Sequence, residues 1–210
     1  MATARRSRSD TQARTRADLI AAARRVFLAR GFHQATLDEI AERAGYTKGA
    51  VYSNFAGKDD LFLALLEEHY ARRTEAYTDV FVSAEDEEEI YRAVAQVMLE
   101  AYAREPEWWP LISDFASHAA RHTDLLERLR AIREAFLDAL AGIIEATSER
   151  HGLQYGLPAR EIARGTGALM RGMALEWALD PNGADAEVFE RMHIAYMRGL
   201  ELPPPERSTR

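Results

Sequence analysis

Cysteine does not occur anywhere in the 210 residues, which excludes disulfide staples, thiolate-held zinc and thiol nucleophiles. No run of about 18 apolar residues occurs either, so no segment reads as a membrane span. Lysine is nearly missing: of 27 basic residues only Lys48 and Lys58 are lysine, and the other 25 are arginine. Strand-like alternation of β-branched residues is also lacking, while Ala, Leu, Glu and Arg abound, so almost every segment reads as helix. The opening stretch MATARRSRSDTQARTR is basic but has no apolar core of the kind a secretory signal needs, and the cytoplasm is the expected compartment.

What charge there is lies unevenly. Residues 1–58 hold 11 basic and 5 acidic residues, a balance of +6, whereas 59–210 hold 16 and 29, a balance of −13. A basic head on an acidic body suggests that the head alone meets a polyanion, although a solvated charge distribution with no partner has the same composition.

Residues 1–13 show no periodicity and are expected to form a disordered basic arm. From 14 to 30, Leu19, Ile20, Ala23, Val26 and Phe27 recur at helical spacing, and Gly31 stands where a helix-ending glycine belongs. Thr36 and Glu39 have the spacing of a capping box. Ile40, Ala41 and Ala44 form a short apolar stripe that Gly45 ends, and Thr47 is placed to cap another short helix over 48–54. Longer helices are expected at about 59–80, 86–104, 107–120, 124–151, 158–179 and 185–200, punctuated by Pro106, Pro110, HGLQYGLP and DPNGAD. The ending ELPPPERSTR cannot continue a helix, and 203–210 is expected to fray.

Two short helices joined at a tight glycine form a helix-turn-helix. Ala41 is small where the second helix crosses, Gly45 reaches a left-handed conformation, and Val51 faces back into the core with Ile40, Ala44 and Phe55. That leaves Tyr46, Thr47, Lys48, Gly49, Tyr52, Ser53 and Asn54 for the outer face. A recognition helix must enter a major groove about 12 Å wide, and Gly49 with Ala50 keeps its leading end slim. Lys48 offers a compact ammonium on a flexible stem; Thr47, Tyr52 and Ser53 offer hydroxyls, and Asn54 an amide. Lys58 and Thr36, each at a helix start, are placed for flanking phosphates.

Residues 14–60 resemble the N-terminal domain of tetracycline-repressor-like (TetR/AcrR family) transcriptional regulators. The resemblance is carried by RVFLARGF, T-x2-E-I-A-x2-A-G, T-K-G-A-V-Y-x-N-F and G-K-D-x-L. It covers about a quarter of the chain. The family often has His before the Phe of the recognition helix, where this chain has Asn54. The resemblance implies an all-α protein: an N-terminal three-helix helix-turn-helix head (14–60) and a C-terminal helical-bundle body (61–202) for ligand binding and dimerisation. It implies a homodimer on double-stranded DNA, released from a near-palindromic operator by a mostly apolar small-molecule effector. No cofactor is expected.

By analogy with the family's cavity, the ligand-binding candidates are Tyr102, Trp108, Trp109, Phe115, His118, Phe136, Met170, Met173 and Trp177. Any of these aromatics equally suits an ordinary core. Adjacent Trp108 and Trp109 cannot both point into one core, so one is expected to face a cavity, a partner or water. His118 and His122 stand four apart on one helix, but HAARH lacks the glutamate of a hydrolytic zinc site and no third ligand is evident. ERMH (190–193) is a lone Glu-x-x-His where di-iron sites need two, so no metal is expected.

The helices near 158–179 and 185–200 are expected to form the dimer interface. Gly165, Gly167 and Gly172 permit close approach, and Val188, Phe189, Met192 and Tyr196 form a stripe flanked by Ile194 and Met197. Two other functions fit the same residues: a helical-bundle enzyme whose head only docks, and a small-molecule binder whose head reads no sequence. The first lacks a convergent set of titratable groups.

Overall fold

A computed structural model describes residues 8–180 and 186–202. The fold is all-α, with nine helices among the described residues: α1 (Arg8–Gln34), α2 (Leu37–Ala44), α3 (Lys48–Tyr52), α4 (Lys58–Ser83), α5 (Glu87–Arg104), α6 (Trp108–Ala119), α7 (Thr123–His151), α8 (Ala159–Leu179) and α9 (Ala186–Leu200). No described helix is long and apolar enough to cross a membrane.

Residues 8–13 of the expected arm are instead the first turns of α1. Asp10 complements the positive end of the helix, Gln12 and Ala13 favour helix, and the Thr15 hydroxyl donates back to the Thr11 carbonyl at 3.0 Å. Residues 1–7 of that arm, and the expected frayed tail 203–210, lie outside the described residues. Gly31 takes φ 72°, ψ 170° and breaks the regular run of α1, the interruption its position foretold.

The described residues divide into two compact units, one of those up to 70 with 110–132 and one of 71–109 with those from 133 onward, so α4, α6 and α7 contribute to both. The boundary expected at 60/61 therefore falls inside α4, and α6 from Pro110 onward groups with the first unit. Aromatic packing explains this grouping. The Phe115 ring of α6 stacks on Phe62 at 4.1 Å and meets Phe32 edge-on at 4.9 Å; Phe27 meets Phe62 at 5.2 Å. All four rings are buried.

Within the first unit α2 packs on α1 and α3 on α2. The turn between α2 and α3 is a Schellman closure. Gly45, at φ 75°, donates to the Glu42 carbonyl at 3.0 Å and Tyr46 N–H to Ala41 at 2.9 Å. Thr36 caps α2 by accepting from Glu39 N–H at 3.2 Å, and Thr47 caps α3 by accepting from Ala50 N–H at 3.3 Å. Each such cap is worth about 1 kcal/mol.

In the second unit α5 and α8 pack on α9. Its core holds Tyr91, Met98, Ile162, Met170, Trp177, Phe189 and Met197. The 154–156 turn is fastened to the end of α9: Gly156 N–H donates to Leu200 and Leu202 N–H to Gln154, both at 2.8 Å. Tyr91 adds a side-chain tie, its hydroxyl lying 2.8 Å from that of Tyr155 and donating to Glu201 at 2.9 Å.

Candidate functional site

Helix α3 is five residues long and carries one inward anchor, Val51, fully buried. Phe55, just beyond it, is buried as well, and Arg16 of α1 holds it from above with its guanidinium 4.4 Å over the ring. The same Arg16 donates to the Asn54 carbonyl at 3.2 Å. With these inward, Thr47, Lys48, Gly49, Tyr52 and Ser53 are exposed, and Thr36 is exposed at the start of α2. Tyr52 keeps 54% of its surface open, a large aromatic that a monomer gains nothing by displaying. A Cβ on Gly49 would meet only the Thr47 hydroxyl at 3.7 Å, so glycine there is not forced by packing.

Four expected contacts are engaged within the fold, one of them Ser53, whose hydroxyl donates to the Ala50 carbonyl at 2.9 Å. The Tyr46 hydroxyl donates to Asp18 of α1 at 2.9 Å, and the half-buried Asn54 amide donates to the Ala50 carbonyl at 2.8 Å. Lys58 does not reach into solvent: its ammonium donates to the carbonyls of Phe32, His33 and Ala35 at 2.9–3.1 Å, closing the C-terminal end of α1. It also lies 4.7 Å over the Phe32 ring, and burial pushes its pKa down. Lys48 has the opposite setting. It is exposed, meets the Asp38 carboxylate at 2.9 Å, and its pKa is raised, first by that hydrogen bond. Arg16, Asp18 and Asp38 were not singled out in the sequence, since each acts on a residue 10 to 38 positions away.

The ligand candidates divide between the units. Phe115 and His118 belong to the first: Phe115 is fully buried in the phenylalanine cluster, and His118 Nε2 lies 3.2 Å from Asp59 Oδ1. The His118 ring also touches Phe32 at 5.0 Å, His33 at 5.8 Å and His122 at 5.0 Å. Among the described residues no group of three His, Asp or Glu side chains could hold a metal ion. Glu190 and His193 diverge, Glu190 to Arg92 at 3.4 Å and His193 to the Tyr91 carbonyl at 3.0 Å.

The other candidates belong to the second unit. Met170 and Trp177 are core, and Tyr102, Trp109, Phe136 and Met173 are half-buried against that core, with the Tyr102 and Trp177 rings 4.8 Å apart. Trp108 is buried and Trp109 half-buried, as neighbours on a helix must differ.

The glycine-rich helix α8 serves its own protomer more than expected. A Cβ on Gly165 would stand 2.1 Å from the Tyr196 hydroxyl of α9, and one on Gly167 would stand 3.3 Å from Arg171 on the same helix; of the three glycines, Gly172 alone has open space. The α9 stripe also splits. Phe189, His193 and Met197 face inward, whereas Val188 and Met192 are exposed, as are Leu175 and Leu179 on α8.

Comparison with known proteins agrees with this geometry. Residues 19–65 match the profile of bacterial regulatory proteins of the tetR family, and residues 87–200 match the C-terminal domain of BetI-type transcriptional repressors. The chain is 32% identical over 191 residues to the HTH-type transcriptional regulator TtgR of Pseudomonas putida, covering 86% of this chain and 88% of that one. It is 29% identical over 195 residues to the HTH-type transcriptional activator FasR of Mycolicibacterium smegmatis, covering 92% and 86%. Among solved structures, the transcriptional regulator FadR from Bacillus subtilis in complex with stearoyl-CoA superposes with a TM-score of 0.66 at 18% identity, covering 86% of this chain and 96% of that one. An outward recognition face on a helix-turn-helix, a helical body, and these matches over both parts place the chain in the tetR family of bacterial transcriptional regulators, which bind DNA and are not enzymes.

Proposed function

We propose that the protein is a cytoplasmic, ligand-responsive homodimeric repressor of a near-palindromic operator. The observation that carries this reading is the outer face of α3, where Thr47, Lys48, Gly49, Tyr52 and Ser53 are exposed while Val51 and Phe55 are buried. Thr36, Thr47 and Tyr52 give hydroxyls to phosphates, Ser53 gives its own on leaving the Ala50 carbonyl, and Lys48 gives a charge to a phosphate or a guanine edge. One short helix makes too few contacts for tight binding; two heads one helical turn of DNA apart, roughly 34 Å, make enough.

Dimerisation is assigned to α8 and α9. Leu175, Leu179, Val188 and Met192 are exposed apolar side chains on those two helices, and the open Gly172 lets a partner approach. Repression is favoured by the BetI-type repressor match over 87–200, and the relative FasR, an activator, makes the direction of regulation a point for experiment. The effector is mostly apolar: Tyr102, Trp109, Phe136, Met173 and Trp177 offer aromatic and sulfur surface, and FadR holds stearoyl-CoA, a molecule with a long apolar chain. Effector binding selects a conformer whose heads are wrongly spaced and lowers operator affinity by the coupling free energy, typically about 5- to 150-fold.

The test is a mobility shift on DNA from upstream of the protein's own gene, with sedimentation to count protomers. Salt-steep binding by two or more protomers, and a reporter silenced by the protein, are expected. Salt-insensitive binding, or a reporter that needs the protein for expression, contradicts the corresponding part of the reading.

A further inference from the structure

The buried polar atoms of the second unit that lack a hydrogen-bond partner within the protein include Nε2 of His193 and Nε1 of Trp177. His193 is 1% exposed on α9, and Trp177 is 7% exposed on α8. They flank one side chain, Phe189, whose ring centroid is 5.9 Å from that of Trp177 and 6.3 Å from that of His193. Leaving a buried donor or acceptor unmade is costly, and buried polar atoms ordinarily have a partner in the protein, in water or in a ligand.

The chemistry of each atom is settled by its surroundings. His193 Nδ1 lies 3.0 Å from the Tyr91 carbonyl oxygen. A carbonyl can only accept, so Nδ1 carries the proton and Nε2 presents a bare lone pair. Burial holds the ring neutral, its pKa lowered to about 4. Trp177 Nε1–H can only donate. Around the Phe189 ring, in a largely apolar core, stand one uncharged acceptor and one uncharged donor. A phenylalanine or leucine at either place would fill the core without that cost.

We infer that His193 and Trp177 are the polar anchors of the effector site, and that the effector is a neutral, largely apolar molecule bearing a hydroxyl. Its O–H donates to His193 Nε2, and an oxygen lone pair, of the same or a second oxygen, accepts from Trp177 Nε1–H. A carboxylate is disfavoured, because its oxygens would meet the Nε2 lone pair. The inference rests on the ligand-responsive reading above and specifies the ligand class of that same body.

The experiment uses the full-length protein and three probes of similar shape measured by calorimetry: 2-phenylethanol, its methyl ether, which cannot donate, and phenylacetate, which is anionic. The alcohol is expected to bind about tenfold more tightly than either, a difference typical of one buried hydrogen bond. His193→Phe should abolish the preference, His193→Gln should retain part of it, and Trp177→Phe should weaken the alcohol and the ether alike. Equal binding of alcohol and ether, a preference that survives in His193→Phe, or no binding of any probe would overturn the inference. So would a bound-state structure with an ordered water, rather than the alcohol, on Nε2. If His193→Phe fails to fold, the comparison of alcohol with ether on the unaltered protein decides. Operator binding by the ligand-free protein is scored separately: intact operator binding with no hydroxyl preference defeats this inference alone.

Discussion

Lys48 of the recognition helix meets Asp38 of the preceding helix, ammonium to carboxylate, at 2.9 Å. Both side chains are more than half exposed, so the pair is solvent-screened and weak. It nonetheless occupies the charge that the proposed reading sends to DNA. Replacing Asp38 by Asn frees Lys48 and removes an anion from the face. Operator affinity should rise roughly two- to fivefold at low salt and the gain should shrink at high salt. Titration of a labelled operator by anisotropy reads this, and a weaker complex would mean that Asp38 itself helps to bind.

Gly165 and Tyr196 set the distance between α8 and α9. Alanine in a helix interior normally gains about 1 kcal/mol over glycine. Here the new Cβ would lie 2.1 Å from the Tyr196 hydroxyl and 3.2 Å from its ring carbon, an overpacking worth about 1–3 kcal/mol in the other direction. Gly165→Ala should therefore lower the denaturation midpoint, and Tyr196→Phe in the same chain should recover most of the loss. A Gly165→Ala protein more stable than its parent would show that the helices have room.

His193 makes stability fall in mild acid. Its pKa is about 4 in the fold and 6.5 unfolded, the first cause being burial. Between those values the unfolded chain binds the extra proton, so the contribution is complete above pH 6.5 and is lost as pH falls toward 4. Its full size is on the order of 3 kcal/mol. Urea melts from neutral pH down to the folded-state pKa should show the loss, and His193→Gln should flatten that part of the profile. An equally steep profile in the variant would assign the loss to other groups.

The exposed apolar residues of α8 and α9 should hold two protomers together. Leu175→Glu combined with Met192→Glu replaces side chains that are 60% and 42% exposed in the single chain, so the protomer fold should be kept. Sedimentation should then report monomers, and operator affinity should drop at least roughly tenfold, since each head then binds alone. A stable dimer would move the interface elsewhere.

Much of this architecture was legible because its signals are local. Gly31 and Gly45 end their helical runs at positive φ, and Thr36 and Thr47 cap the helices that follow. The outward set of α3 followed from the inward turn of Val51 and Phe55 alone. What was not legible acts across distance. Lys58 finds carbonyls 23 to 26 residues earlier, and Arg16 finds Asn54 38 residues later. Phe115 and His118 looked like parts of the body because they lie far from the head in the chain, yet aromatic packing groups them with it. His193 stood in a Glu-x-x-His pattern, whose spacing said nothing of a neutral ring bonded to a carbonyl on another helix.

The salt dependence of operator binding tests the central claim most directly. If the outer face of α3 lies in the groove of duplex DNA, each Lys48 releases about one counterion on binding. A dimer carrying Lys48→Ala should then bind its operator more weakly, with a slope of log affinity against log salt shallower by about two, and its fold and dimer unchanged. An affinity and a slope equal to those of the unaltered protein would contradict the account.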